Sequence, residues 1–134
     1  MTTFLDTNVL VYAFDRSDER KREVALAILA EADFVVSAQV LNEFFVAVTR
    51  KLDPPMSREA AHEAVKLLAV GRVVPIDKDL VANAIDTAIT SQLSSWDAAI
   101  ICAAVRSGCE VVLSEDMNDG QLIAGVTVRN PFRH

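Results

Sequence analysis

Residues 3–10 read Thr3-Phe4-Leu5-Asp6-Thr7-Asn8-Val9-Leu10. A short apolar strand runs straight into a carboxylate, and Asp6-Thr7-Asn8 then begins a helical turn that continues through Tyr12 and Phe14. The same alternation returns down the chain. Phe34-Val35-Val36 and Arg72-Val73-Val74-Pro75 read as strands, as do Glu110 to Leu113 and Val126 to Val128. Helical patterns lie between them. One starts at Asp18, with apolar spacing at Val24, Ile28 and Leu29. Ala38 to Lys51 carries Val40, Leu41, Phe44, Phe45 and Val48 on one face, and Asp53-Pro54-Pro55 then breaks the chain. Ser57 caps a helix with Ala60, Ala64, Leu67 and Leu68 on its apolar face, ended by Gly71. Asp77 or Asp79 starts another through Val81, Ile85 and Ala88, and Ser94 to Ser107 is the most apolar, stopped by Gly108. Short continuous strands alternating with helices mark a parallel sheet covered on both faces. The expected fold is an α/β three-layer sandwich, a short parallel β-sheet flanked by helices, in one domain over 1–134.

Within that pattern four acidic residues stand where carboxylates are usually unwelcome. Asp6 ends the first strand, and Glu43 is set within Val40-Leu41-Asn42-Glu43-Phe44-Phe45-Val46. Asp97 opens the apolar run Ala98 to Val105, and Asp116 follows Val111-Val112-Leu113-Ser114-Glu115. Charged side chains are rarely buried unpaired, and no basic residues sit at matching positions. A hard divalent cation with oxygen ligands would neutralise them. In an open α/β sheet Asp6 and Asp116 both fall at the carboxyl edge of the strands, where ligand sites form. Asp97 falls in a first helical turn, whose dipole favours negative charge. Each has a structural reading as well. Asp6 can cap the following helix, and Asp97 can join Ser94 in a capping-box-like start. Glu43 can be a solvated helix residue, and Asp116 can open the turn Asp116-Met117-Asn118-Asp119-Gly120. The set, in this order and with these neighbours, favours a site.

Composition bounds the setting. The chain has 134 residues, 51% hydrophobic and 24% charged, which is ordinary for one globular domain with a real core. Taken alone, its net charge of −6 argues against a nucleic-acid binder, since phosphate contacts need a basic surface, although a bound cation would reverse the local sign at a carboxylate cluster. Basic residues group at Arg16, Arg20, Lys21 and Arg22 and at Arg50 and Lys51, which reads as solvated helix faces. Cys102 and Cys109 lack metal or redox spacing, and His62 and His134 are isolated rather than clustered as ligands are. The opening Met1 to Asp6 has no signal-peptide pattern and no apolar run spans a bilayer. With two free thiols, a cytoplasmic location and no membrane partner are expected.

The four acids and their neighbours resemble a known family. Phe-Leu-Asp-Thr-Asn-Val-Leu (4 to 10), Asn42-Glu43-Phe44, Ser95-Trp96-Asp97-Ala98 and Leu113-Ser114-Glu115-Asp116-Met117 look like the four acidic motifs of a PIN domain, more narrowly of a VapC-type toxin ribonuclease. One Asp-Thr-Asn is commonplace, but four motifs in order over nearly the whole chain are specific. The resemblance implies a Mg²⁺- or Mn²⁺-dependent endoribonuclease with Asp6, Glu43, Asp97 and Asp116 at its catalytic site. It also implies an RNA substrate, a cognate antitoxin protein and a homodimer. Asp6, Asp97 and Asp116 are expected as direct metal ligands, with Glu43 binding metal or placing the attacking water. Thr7, Asn8 and Ser114 would orient the carboxylates, and Asp119 is a candidate fifth acid, although its neighbour Gly120 favours a turn role. Apolar faces of Ala38–Lys51 and Ser57–Gly71 are the expected dimer surface. No Cys or Ser with a nearby His suggests a covalent nucleophile.

Other readings fit less well. A haloacid-dehalogenase-type phosphatase needs a second acid where Asn8 stands. A response-regulator receiver needs adjacent acids after the first strand, and Pro75-Ile76-Asp77 poorly matches its phosphorylated position. A catalytically silent module of the same fold, acting through protein contacts, is the non-enzymatic alternative.

Overall fold

The computed structural model describes residues 2–31 and 33–133; His134, noted above as an isolated histidine, lies outside them, as do Met1 and Ala32. In chain order the elements are β1 (Thr3–Leu5), α1 (Thr7–Tyr12), α2 (Glu19–Ala30), β2 (Phe34–Ser37), α3 (Ala38–Arg50) and α4 (Arg58–Leu68). They continue with β3 (Arg72–Val74), α5 (Lys78–Ser91), α6 (Ser95–Arg106), β4 (Val111–Leu113), β5 (Leu122–Ile123) and β6 (Val126–Arg129). The strands form one sheet in the order β3-β2-β1-β4-β6-β5, parallel except for β5 against β6. Six helices flank it, as the alternation of elements requires.

Strands buried on both faces explain the missing polar alternation: Phe4, Leu5, Val35, Val36, Val112 and Val128 are all fully buried. Helix α6 packs on β2, β4 and β6, with Ala98, Ala103 and Ala104 fully buried so that its backbone can approach the sheet closely. Its partner α5 meets it at 115° after Gln92, which closes α5 in the left-handed region, and Ser94 caps the new helix. Among the described residues no single helix is long and apolar enough to cross a membrane. Of the two starts weighed for α5, Asp77 is the cap; its carboxylate accepts from Leu80 N–H.

Two features depart from the sequence reading. The sheet has a sixth, antiparallel strand, β5, joined to β6 through Ala124-Gly125, both at positive φ. Two consecutive left-handed residues suit a tight hairpin, but Ala is not a residue that announces one. The apolar stripe of α3 is also consumed by the core: Val40, Phe44 and Val48 are fully buried, which leaves Val46 as its exposed large hydrophobic residue. More apolar surface is left on α5, at Val81, Ile85 and Ile89, and at Leu67 and Val70 by the end of α4.

Candidate active site

Strand order reverses at β1, whose successors β2 and β3 lie on one side while β4, β6 and β5 lie on the other. Such a reversal opens a crevice at the carboxyl ends of the two strands beside it. Asp6 follows β1 directly and Ser114-Glu115-Asp116 follow β4. The ladder is prolonged to place both: Asp6 N–H donates to the Leu113 carbonyl at 3.0 Å and Ser114 N–H to that of Arg129 at 2.9 Å. Residues far apart in the chain thus become neighbours.

Hydrogen bonds fix the carboxylates there. Asp6 is the N-cap of α1, accepting Thr7 N–H at 2.7 Å, so its structural reading is realised. Its other oxygen accepts from the fully buried Ser114 hydroxyl at 2.7 Å. The Asn8 amide donates to Asp6 at 3.3 Å, to Ser114 at 3.4 Å and to Asp116 at 3.2 Å, while its carbonyl accepts Glu115 N–H at 3.0 Å. Glu43, half-buried on α3, accepts from the Thr7 hydroxyl at 3.0 Å and from Gln39 at 2.9 Å. Thr7, Asn8 and Ser114 therefore hold carboxylates. Gln39 escaped the sequence reading, although it stands four residues before Glu43, the spacing at which helical side chains meet.

Electrostatics ties the four acids together. Asp6 is only 7% exposed, and burial above all pushes its carboxyl up to about 6, with Asp116 and Asp97 adding repulsion against the relief from Ser114 and Thr7. Asp97, half-buried in the first turn of α6, is also raised, first by burial and then by Asp116, with Glu43 contributing and Ser94 offsetting part. Its backbone N–H donates to the Ser94 hydroxyl at 3.1 Å, so Ser94 is the N-cap of α6. Among the described residues none of the four acids forms an ion pair with a basic side chain. Nor do three or more His, Cys, Asp or Glu side chains stand there as a ready-made metal cage. Asp6, Glu43 and Asp116 are turned instead toward their hydrogen-bond donors.

Asp119 is not part of the set. It accepts Asn130 N–H at 2.8 Å and pairs with Arg133 at 3.5 Å, fastening the chain end. His62 is exposed on α4. A groove of about 550 Å³ runs from Asp116, Asn8 and Glu43 past Tyr12 and Asn42 to Lys51. Lys21 on α2 is less solvated than its pattern suggests and pairs with Glu115, while the exposed Arg20 donates to the Phe132 carbonyl at 3.0 Å. Burial alone would raise Glu115, but hydrogen bonds from Lys21 and Tyr12 bring it below the ordinary carboxylate value.

Comparison places this arrangement among known proteins. The sequence model of the PIN domain family matches residues 3–118. No curated protein matches the chain by sequence at a significant level. Among solved structures, a toxin–antitoxin complex from Klebsiella pneumoniae has a TM-score of 0.71 at 21% identity, over 96% of this chain and 97% of that one. VapC20 of Mycobacterium tuberculosis, described as a sarcin-ricin loop cleaving toxin, has a TM-score of 0.69 at 20% identity, over 85% and 89%. FitAcB from Neisseria gonorrhoeae has a TM-score of 0.67 at 22% identity, over 98% and 99%. At these identities the likeness is one of fold.

Proposed function

The chain belongs to the PIN domain family, and from that premise we propose that it is a metal-dependent endoribonuclease, the toxin of a toxin–antitoxin pair. The observation that carries this reading is a set of four carboxylates near one sheet edge, Asp6 repelled by Asp116 and Asp97, and Asp97 by Asp116 and Glu43, with no basic partner among the described residues. Their donor set is all oxygen and suits a hard divalent cation, Mg²⁺ or Mn²⁺. Asp6, Asp97 and Asp116 would hold it. When bound, the cation supplies Lewis-acid stabilisation of the negative charge that develops as a phosphodiester is hydrolysed.

The protein's own groups do the rest. Ser114 and Thr7 keep Asp6 in place, and Asn8 spans Asp6 and Asp116, so that two carboxylates from different strands share one orienting amide. Glu43, which Thr7 and Gln39 hold, would orient the attacking water and accept its proton. A covalent route lacks its parts: the Ser114 hydroxyl is buried and donates to Asp6, and the one described histidine, His62, is exposed on α4. The assay is cleavage of RNA with Mg²⁺ or Mn²⁺, lost on chelation and regained on adding metal. Full activity in excess EDTA, or turnover of small phosphate monoesters only, would refute the proposal.

The partners follow from the same site. Solved neighbours of this fold include a toxin–antitoxin complex, which supports a cognate antitoxin; the exposed apolar residues of α5 and of the end of α4 offer a surface on which a homodimer would pair. An uncompensated carboxylate set accepts a guanidinium or ammonium through charge-assisted hydrogen bonds. The antitoxin is therefore expected to inhibit by inserting an Arg or Lys near Asp6 and Asp97. Replacing that residue with Ala should relieve inhibition more than it weakens binding. An inhibited complex whose acidic site is open and metal-loaded would contradict this.

A further inference from the structure

Glu115 adjoins Asp116 and lines the same groove, yet it stays out of the acidic set. Its carboxylate is held by other elements. Tyr12 Oη donates to Oε1 at 2.6 Å, and Lys21 Nζ donates both to Oε2 and to Tyr12 Oη, the latter at 3.2 Å. The lysine is itself fixed, 4.7 Å from the centre of the Tyr12 ring and 5.9 Å from that of Phe132, and those two rings meet edge to face at 4.8 Å. Side-chain exposure of Lys21 and Glu115 is 23% each, so the pair is largely shielded from solvent. Meanwhile Glu115 N–H donates to the Asn8 carbonyl at 3.0 Å, and the amide of the same Asn8 reaches Asp116 at 3.2 Å. The segment after β4 is therefore gripped twice, by Asn8 and by the pair from α1 and α2.

We propose that Tyr12 and Lys21 are positioning residues for the fourth acidic position: by holding Glu115 aside they leave Asp116 to complete the acidic set. The proposal rests on the nuclease reading above. Without Lys21, a fifth uncompensated carboxylate would enter a cluster of like charges, and the loop that carries Asp116 would lose its outer anchor. Neither effect needs a change in Asp116 itself. Arg at position 21 keeps a charge and donors for Glu115, whereas Met keeps only the apolar stem against the two rings.

The test measures Mn²⁺ affinity of the RNA-free full chain by titration calorimetry, with denaturant midpoints and the kcat and KM of RNA cleavage. The variants are Tyr12→Phe, Lys21→Arg, Lys21→Met and Lys21→Met combined with Glu115→Gln. Lys21→Met is expected to weaken Mn²⁺ binding by about 10- to 100-fold and to lower kcat more than it raises KM. Tyr12→Phe should weaken binding roughly two- to tenfold. Lys21→Arg should recover most of the loss, and Glu115→Gln should recover part of it by removing the rival charge. Lower denaturant midpoints with unchanged Mn²⁺ affinity would assign the pair a purely structural role and overturn the proposal. Should Lys21→Met fail to fold, unchanged affinity in Tyr12→Phe decides against it equally. Wild-type protein that neither binds Mn²⁺ nor cuts RNA sinks the nuclease reading and this proposal with it. A competent wild type with indifferent variants sinks only the positioning.

Discussion

Asp6→Asn is expected to reduce RNA cleavage by a factor on the order of 10³ or more, and to flatten the pH dependence of metal-free stability. Both effects trace to one buried carboxyl. In the folded protein burial, with repulsion from Asp116 and Asp97, lifts Asp6 from 3.8 to about 6. Because the folded value is the higher one, the contribution is fully present below pH 3.8 and is lost as pH rises through about 6. The metal-free wild type should thus lose about 3 kcal/mol of stability across that window. Asp97, raised in the same direction, adds to the slope. A divalent cation competes with the proton, so the stabilisation it gives should grow as pH climbs past 6. Asparagine has no proton to lose, and its NH₂ group faces donors whichever way it turns, since Thr7 N–H and Asn8 point at the two oxygens. The variant should be close to wild type in stability at neutral pH. Denaturant titrations from pH 4 to 8 with and without Mg²⁺ decide it. A wild type whose metal-free stability rises across that range would contradict the account.

At Asp97 the structural and functional roles can be separated by one substitution. The backbone N–H of residue 97 is the donor to Ser94, and Asp97→Asn keeps it. What the helix start loses is the first-turn negative charge, about 0.3–1 kcal/mol. Against that stands relief from repulsion by Asp116 and Glu43 and from the burial of charge. Metal-free stability should therefore hold or rise, while cleavage is abolished and most of the stabilisation conferred by Mg²⁺ or Mn²⁺ disappears. A variant that is less stable yet active, with metal stabilisation intact, would return Asp97 to capping alone.

Much of this architecture is visible in the sequence because its signals are local. A three-residue apolar run ending in Asp6 reports a buried strand and its edge together, and Ser57 and Ser94 mark helix starts that the structure uses. Asp6 and Asp116 could be placed at the same edge because parallel strands present their carboxyl ends together. What could not be read depends on partners distant in sequence. The stripe of α3 looks like spare apolar surface until its neighbours are known, and in the fold it is core. Strand β5 has two residues and a turn built on Ala124, so neither periodicity nor turn chemistry announces it. Lys21 sits in a charged helix that looks solvated, and only the return of the chain after β4 gives it Glu115. The four acids could be picked out in the sequence, but not the hydrogen bonds by which Asn8 bridges Asp6 and Asp116 and Gln39 holds Glu43.

The reversal of strand order between β1 and β4 also fixes when the site can exist. Asp6 and the Ser114 hydroxyl that holds it are 108 residues apart in the chain. At a synthesis rate of about 20 residues per second, Asp6 waits roughly five seconds on the ribosome before Ser114 and Asp116 are made. Pairing across so long a loop is also slow to close. The nascent chain thus carries its first acid, and then Glu43 and Asp97, with no edge on which to gather them.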